Sequence, residues 1–229
     1  MQKRNSRRLL TNNVKYTTVC IIGPPKTGTT HLLACLMKGN FSNMAARIGE
    51  YTGDIDQKRN YQYKILKNPS IALELTGWRS RLTRLQKGSP ETLFIGMLRP
   101  YNESIFSLYC HWKRTGEINK HLSYSQFLRS QYDRYIGIED NFLELKEMLD
   151  HFVLIDFHES ILNIHPEKIF SDLNIDFKIE NTIKWSKHTA REQEEHRINE
   201  DLTAAYNKLK NNKDIQQILY KNEQWYSPL

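Results

Sequence analysis

Short apolar runs rich in β-branched residues alternate along the chain with longer segments whose apolar residues recur every three or four positions. The first run, Val14 to Gly23, ends in Gly-Pro-Pro. It predicts a buried strand that leads into a loop. The next segment, Thr29 to Lys38, has apolar residues at helical spacing and is followed by Gly39 and Asn40. It predicts a helix that stops at the glycine.

The same alternation continues to the end of the chain. Further strands are predicted at Tyr63 to Leu66, Thr92 to Leu98 and His151 to Phe157. Helices are predicted at Arg79 to Gln86, Glu103 to Arg114, Tyr124 to Tyr135 and Glu139 to Leu149. The charged segment Glu192 to Tyr220 indicates one or two terminal helices packed on the outside. Strands alternating with helices predict an α/β fold of three layers, α/β/α, around a central, mostly parallel sheet.

Length and composition favour one globular domain. The 229 residues can enclose one sizeable core, and 39% apolar with 26% charged residues is typical of a water-soluble folded chain. We expect a basic tail over 1–13 and a single domain over 14–229. No apolar run approaches the roughly 18 residues of a membrane span, and the polar start Met1 to Arg8 does not resemble a signal peptide.

The cysteine content and the net charge limit the cellular compartments and the classes of binding partner that fit this chain. Cys20, Cys35 and Cys110 are too few and too far apart for a disulfide framework or a zinc site, so we expect a reducing, cytoplasmic environment. The net charge of +7 would suit nucleic acid, an anionic membrane surface or an anionic small ligand. Charge alone does not decide among these three.

The loop between the first strand and the first helix, Gly23 to Thr30, has the composition of a phosphate site. In parallel sheets, ligands bind beyond the carboxyl ends of the strands, where loops enter helices. Glycines let the backbone approach a phosphate, and the N–H groups at the helix start point towards it. Lys26 adds a full charge, and Thr29 and Thr30 add hydroxyl donors. This indicates a P-loop NTPase-like fold with an anion-binding loop.

A nucleotide or small-molecule kinase is the first alternative. The kinase-type pattern is G-x-x-x-x-G-K-[ST], and Gly23, Gly28 and Thr30 fit its spacing. However, Thr29 stands at the lysine position, and the loop's lysine is Lys26. Since the P-loop lysine reaches the far phosphates and the next hydroxyl holds magnesium, this displacement argues against ATP.

The loop residues PKTGTTHL resemble the PKSGTTW-type loop of sulfotransferases that use 3′-phosphoadenosine 5′-phosphosulfate (PAPS). The resemblance implies that the loop holds the 5′-phosphosulfate end of this donor, that adenosine 3′,5′-bisphosphate (PAP) is the product, and that no metal is required. The residues implied in donor binding are Pro25, Lys26, Thr27, Gly28, Thr29 and Thr30.

A second motif supports the same family. The family places an arginine at the end of a strand and a serine eight residues later, where both meet the donor's 3′-phosphate. Arg99 and Ser107 keep this spacing within Leu98 to Tyr109. A guanidinium can hold two phosphate oxygens at once, and the hydroxyl adds a further donor. An ordinary surface arginine and a helix serine are the alternative.

The resemblance extends over Val14 to Leu173, with a looser match at Asp156 to Ser160. The glycine-rich RKG-type loop of the cytosolic animal enzymes is absent, so the chain is more similar to bacterial and carbohydrate-type members. In place of that loop, the segment Lys184 to Arg191 is expected to close over the nucleotide, with Lys187, His188 or Arg191 reaching the 3′-phosphate. A solvated basic turn is the alternative for this segment.

Sulfonate transfer to a hydroxyl or amine needs a general base for the acceptor's proton. The resemblance implies a glutamate in sugar-specific members and a histidine in others. Glu50 lies 24 residues after Lys26, just past the first predicted helix, and is the favoured base. A surface carboxylate is its alternative. His31 follows the loop and is the second candidate, and His111 and His158 are weaker ones.

The predicted acceptor is a carbohydrate or another small molecule, and no nucleic acid or membrane span is expected. Lys67, in Lys67 to Pro69, resembles a Lys-x-Pro segment of bacterial and carbohydrate sulfotransferases and would then lie near the reacting groups. The second alternative is a basic nucleic-acid-binding module. Dispersed aromatic residues and the lack of a recognised motif argue against it. The sequence leaves the acceptor and the oligomeric state open.

Overall fold

The computed structural model describes residues 16, 18–30, 32–33, 46–50, 63–68, 70–158, 166–173, 175 and 199–221. Within that part, only the backbone is described for residues 46–50, 63–65, 166–167 and 170. Several predictions lie outside it: the basic tail over 1–13, the candidate base His31, Cys35 and the end of the first predicted helix, and the basic residues Lys187 and Arg191.

A parallel sheet of five strands lies at the centre of the described part of the chain. Its strands are β1 Thr18–Ile22, β2 Ala46–Glu50, β3 Tyr63–Asn68, β4 Thr92–Leu98 and β5 Phe152–Asp156. The strand order is β2-β3-β1-β4-β5. The strand that precedes the predicted phosphate loop is therefore central, and the loop leaves from the carboxyl end of the sheet.

The helices connect the strands and cover the sheet. Their bounds are α1 Arg79–Gly88, α2 Tyr101–Thr115, α3 Tyr124–Ile136, α4 Ile138–Met148, α5 Pro166–Asp172, α6 Glu200–Asn211 and α7 Lys213–Gln216, with a 3₁₀ turn at Leu75–Gly77. Local signals set several ends: α2 stops at Gly116 with φ 79°, and Ser123 opens α3 as one half of a capping box with Gln126. None of the described helices is both long and apolar enough to cross a membrane.

The predicted strands and the helices predicted between Arg79 and Leu149 agree with the structure to within a few residues at each end, whereas the end of the first predicted helix lies outside the described residues. β4 has the predicted bounds, and β3 extends past the prediction to include Lys67 and Asn68. The strand β2 was not predicted, because the sequence ARIGE has neither strict alternation nor an apolar run. Its presence changes the position of Glu50, which is the last residue of a strand and does not simply follow a helix.

The two faces of β1 pack into two separate cores. Cys20 and Ile22 belong to the core shared with α1, α2, α3, α4 and α6, whereas Val19 and Ile21 belong to a second core with Leu32 and residues of β4 and β5. Alternate side chains of a strand point to opposite faces, so a strand apolar throughout is buried on both sides. The three-layer α/β/α fold predicted from the sequence is confirmed.

Burial raises the pKa of the Cys20 thiol to about 12, as expected for a structural cysteine.

Hydrogen bonds connect the C-terminal segment to α2 and to β5. Asn102 at the start of α2 donates its side-chain amide to the Asn199 carbonyl at 3.0 Å and accepts from the Asn199 N–H at 3.1 Å. Tyr206 on α6 donates to the buried Asp156 carboxylate at 2.5 Å. Beyond α7, the chain returns to the sheet, where the Tyr220 N–H donates to the β5 carbonyl of Leu154 at 2.7 Å. This last pairing was not anticipated from the sequence.

Candidate functional site

The loop after β1 has an unusual backbone at two positions. Lys26 has φ 65° and Gly28 has φ 93°, both in the left-handed region. The Thr27 hydroxyl donates to the Pro24 carbonyl at 2.7 Å, which closes the turn between them. The Leu32 N–H donates to the Gly28 carbonyl at 2.9 Å, so the first turn of the next helix starts within the loop. This strand, tight loop and helix start have the geometry that cradles phosphate groups.

Glycine is required at two positions of this loop. A Cβ on Gly23 would lie 2.8 Å from the Thr27 Oγ1 and 2.9 Å from the Met97 Cβ. A Cβ on Gly28 would lie 2.5 Å from the Phe157 ring, in a conformation that L-residues rarely adopt. The loop is thus packed directly against the residues that end β4 and β5.

Lys26 lies in an environment that disfavours its positive charge. Burial lowers the pKa of its ammonium group below the usual value, and the charges of Arg114 and Lys67 lower it further. Glu117 acts in the opposite direction, with a smaller effect. Several cations therefore converge on a half-buried loop, an arrangement that an anionic ligand would stabilise.

The side of the loop that faces β3 carries the second lysine. The Lys67 Nζ donates to the Thr30 Oγ1 at 3.0 Å. Lys67 is also the register partner of Glu50, since β2 and β3 pair with these two residues opposite each other. The backbone therefore places the predicted base position next to a lysine that contacts the loop. This region is called the β2–β3 edge below.

The other side of the loop carries Arg99, which follows β4. Its Nη1 donates to the Lys26 carbonyl at 3.1 Å, and its guanidinium carbon lies 5.1 Å from the centre of the Phe157 ring. Its Nε and Nη2 contact the Oε2 of Glu103 at 3.1 and 3.0 Å. That carboxylate oxygen also contacts the Nε2 of His158 at 2.8 Å. Arg99, Glu103 and His158 are called the arginine cluster below.

Helix α2 continues away from the arginine cluster. Ser107 is half-buried one turn beyond Glu103, and His111 and Arg114 follow at helical spacing. Arg114 is near enough to Lys26 to lower its pKa, so this face of α2 runs alongside the loop. Ser107 therefore shares a helical face with Arg114, whereas Arg99 precedes the first turn of α2.

The structure brings Lys26 and Arg99 into direct contact and adds residues that the sequence analysis had not assigned to the site. Glu103 was missed, although its position four residues after Arg99 on a helix is a usable signal for an ion pair. Phe157, which lies under Arg99 and against Gly28, had no such signal. Among the described residues, no group of three or more histidine, cysteine, aspartate or glutamate side chains is placed to hold a metal ion.

A comparison with solved structures identifies the fold. A crystal structure of a sulfotransferase from Alicyclobacillus acidocaldarius matches with a TM-score of 0.52 and 14% sequence identity, over 76% of this chain and 87% of the other. The chain shares the fold of that sulfotransferase. No protein-family model matches the sequence, and a search of curated proteins also gives no match. At this level of identity, the likeness concerns the fold and not the residues of the site.

Proposed function

We propose that this protein is a sulfotransferase that moves the sulfonate group of PAPS to a hydroxyl or amine of a carbohydrate or other small acceptor. The observation that carries the proposal is the contact between Arg99 and the Lys26 carbonyl. It joins two cationic sites on either side of one loop. A nucleotide with phosphate groups at both its 5′ and 3′ positions needs two such sites, and the fold is one that a sulfotransferase uses.

The donor's 5′-phosphosulfate end would bind in the loop. Its oxygens would accept from the backbone N–H groups at the helix start, from Lys26 and from the Thr29 and Thr30 hydroxyls, with Pro25 and Gly28 shaping the turn. The Thr27 hydroxyl donates within the loop to Pro24, so its contribution to the donor would come from other atoms of the residue. The lowered pKa of Lys26 supports this assignment, because a bound anion would offset the nearby positive charges.

The 3′-phosphate would bind between Arg99 and Ser107. Arg99 is held from below by Phe157 and from one side by the Lys26 carbonyl, so its guanidinium is already positioned before a ligand arrives. We also propose that Lys187 and Arg191, which lie outside the described residues, reach this phosphate. The site thereby selects a 3′-phosphorylated nucleotide over ATP, which has its extra phosphates at the 5′ end.

Transfer would take place over the β2–β3 edge. When bound, PAPS supplies the sulfonate group and PAP leaves. Lys26 and Lys67 would stabilise the negative charge that develops on the bridging oxygen and the sulfonate. Glu50 would take the proton from the acceptor, with His31 as the second candidate for this role. The register of Glu50 with Lys67 supports the first choice, because Glu50 ends β2 opposite a lysine that contacts the loop.

A thermal-shift comparison of three ligands tests this proposal. We expect PAP to raise the melting temperature without magnesium, adenosine 5′-monophosphate (AMP) to raise it less, and ATP with magnesium to raise it least, since only PAP engages both cationic sites. A larger shift with magnesium and ATP than with PAP would contradict the proposal in favour of a kinase.

We also propose a cytoplasmic location. In its support, neither of the two described cysteines, Cys20 and Cys110, is in a disulfide.

A further inference from the structure

The peptide between Lys26 and Thr27 is held at both of its polar groups. Its carbonyl accepts from the Nη1 of Arg99 at 3.1 Å, and its N–H donates to the Pro24 carbonyl at 3.4 Å. The C=O and the N–H of a trans peptide point in opposite directions. Arg99 and Pro24 therefore hold this peptide from opposite sides, and its orientation depends on a residue that is far away in the sequence.

This support matters because Lys26 has φ 65°. The left-handed region is unfavourable for a residue with a Cβ, and such a residue keeps this conformation only where its surroundings fix it. Lys26 is also the residue whose ammonium group is proposed to bind the sulfonate. If its carbonyl were released, Lys26 would tend to return to the right-handed region, and its ammonium group would point elsewhere.

A second contact links the same arginine to the loop. The guanidinium carbon of Arg99 lies 5.1 Å from the centre of the Phe157 ring, and a Cβ on Gly28 would meet this ring at 2.5 Å. Phe157 is almost completely buried, so the surrounding core limits its movement. Arg99 and the loop therefore pack against one fixed side chain, and a movement of either changes the packing of the other.

The contacts of Arg99 with the described residues leave donors for a ligand. Its Nε and Nη2 contact the Glu103 carboxylate, and its Nη1 donates to the Lys26 carbonyl. Each terminal nitrogen of a guanidinium carries a pair of N–H groups. A second N–H on Nη1 and on Nη2 thus remains beyond these contacts, and a phosphate can accept from both without displacing the Lys26 carbonyl.

We propose that Arg99 is a positioning residue of the phosphate loop, because a 3′-phosphate bound to its guanidinium fixes the Lys26 carbonyl and thereby the loop that binds the 5′-phosphosulfate. This inference rests on the proposed function. It gives Arg99 a role at both ends of the donor: direct contact with the 3′-phosphate, and support of the 5′ site through the main chain. The two phosphate sites are then positively coupled, since a nucleotide without the 3′-phosphate meets a loop that is held less firmly.

The first measurement is calorimetric binding of AMP, which has no phosphate to place at Arg99. Arg99→Lys keeps the positive charge, but an ammonium group lacks the planar fork that contacts Glu103 and Lys26 together. We expect its affinity for AMP to fall by about 5–30-fold. This fold-change corresponds to about 1–2 kcal/mol, the cost of a left-handed residue whose conformation is no longer held. Arg129→Lys, on the exposed face of α3, is the matched control and should bind AMP like the wild type.

The second measurement observes the Lys26 carbonyl in the wild type. Lys26 is the single lysine of the sequence that is followed by threonine. Labelling lysine with carbonyl ¹³C and threonine with ¹⁵N therefore gives one signal for this peptide in a carbon–nitrogen correlated NMR spectrum. We expect this signal to differ between the complexes with PAP and with AMP. The difference should be lost in Arg99→Lys, and it should remain in Ser107→Ala, which keeps the arginine.

The outcomes separate this inference from the proposed function. An unchanged AMP affinity in Arg99→Lys would show that Arg99 does not position the loop, and so would a wild-type Lys26 signal that is the same in both complexes. In either case the proposed function still holds. If PAP binds the wild type no more tightly than AMP does, the 3′-phosphate site itself is wrong, and the proposed function fails with it. The NMR comparison of the two complexes uses the wild type, so it decides the question even if Arg99→Lys folds poorly.

Discussion

The guanidinium of Arg99 donates to the main-chain carbonyl of Lys26 at 3.1 Å, across 73 residues of sequence. The left-handed conformation of Lys26, with φ 65°, orients the peptide that follows it, and Arg99 binds the oxygen of that peptide. The two motifs that were recognised separately in the sequence therefore form one structure. A change at either residue should affect the conformation of the other.

We predict that glycine at position 26 gives a more stable protein than alanine. A left-handed conformation disfavours any residue with a Cβ by about 1–2 kcal/mol, and the greater freedom of glycine in the unfolded chain offsets about 0.5–1 kcal/mol of this. Lys26→Gly should therefore exceed Lys26→Ala by about 0.5–1 kcal/mol in the free energy of unfolding, measured with urea. Both variants should lose sulfonate transfer, because both lack the ammonium group.

This pair of variants separates strain from chemistry. Equal stability of Lys26→Ala and Lys26→Gly would mean that position 26 does not keep its positive φ in solution. Wild-type turnover in either variant would remove Lys26 from the reaction.

The lowered pKa of Lys26 predicts a pH dependence of stability. Between the folded pKa and the unfolded value of 10.5, the unfolded chain binds more protons than the folded one. The destabilisation by the buried charge is thus fully present below the folded pKa and is relieved as pH rises towards 10.5. The wild type should gain free energy of unfolding relative to Lys26→Met between pH 7 and pH 10.

Saturating PAP should reduce that gain, since a bound anion raises the pKa of the ammonium group. Urea unfolding of both proteins at several pH values measures it. If the difference in free energy of unfolding between wild type and Lys26→Met is constant with pH, burial and nearby charges do not destabilise the Lys26 ammonium group.

Gly28→Ala should be far more costly than the same change at Gly116. Both glycines have positive φ, but a Cβ at Gly28 would overlap the Phe157 ring, whereas nothing lies within 4 Å of a Cβ at Gly116. Gly116→Ala should lower the free energy of unfolding by about 1 kcal/mol, from backbone strain alone. Gly28→Ala should lower it by the same strain and by about 1–3 kcal/mol more, from overpacking. Equal costs measured by urea unfolding would contradict the packing of the loop against Phe157.

A double-mutant cycle makes this test specific. In a Phe157→Leu background, where the smaller side chain leaves room beside the loop, Gly28→Ala should cost less than in the wild type. An unchanged cost would place the clash elsewhere.

At the β2–β3 edge, Lys67→Met should lower the rate of sulfonate transfer by roughly 10²-fold, because Lys67 is proposed to stabilise charge that grows in the transition state. Its effect on the affinity for PAP should be smaller, within about tenfold. Lys120→Met, on the exposed turn after α2, is the matched lysine control. The measurement is PAP release from PAPS with an active acceptor, beside calorimetric binding of PAP. A large loss of affinity with an unchanged rate would make Lys67 a donor-binding residue only.

Glu50→Gln should lower the same rate by roughly 10²–10⁴-fold and leave PAP affinity unchanged, as expected for loss of a general base. Glu91→Gln, in the turn before β4, is the control at the opposite end of the sheet. Retained activity in Glu50→Gln would redirect the search to His31.

Local patterns predicted most of the fold because its strands and helices are strongly periodic. β4 is buried throughout and was found with its exact bounds, and α3 begins at a recognisable capping box. β2 was missed because its five residues show no period, and its existence depends on pairing with β3 rather than on local preference. The pairing of the C-terminal segment with β5 through Leu154 is likewise a long-range contact that no local pattern reports.

For the site, the sequence by itself determined the chemical groups: a glycine loop with a displaced lysine, and an arginine and serine at fixed spacing. Residue type and spacing are local properties, so they can be read from one segment at a time. Only the tertiary structure decided that Arg99 binds the Lys26 carbonyl, that Lys67 donates to Thr30, and that Arg99 and His158 share the Glu103 carboxylate. Those contacts arise because parallel strands β3, β1, β4 and β5 end at one edge of the sheet, which brings together residues that are far apart in sequence.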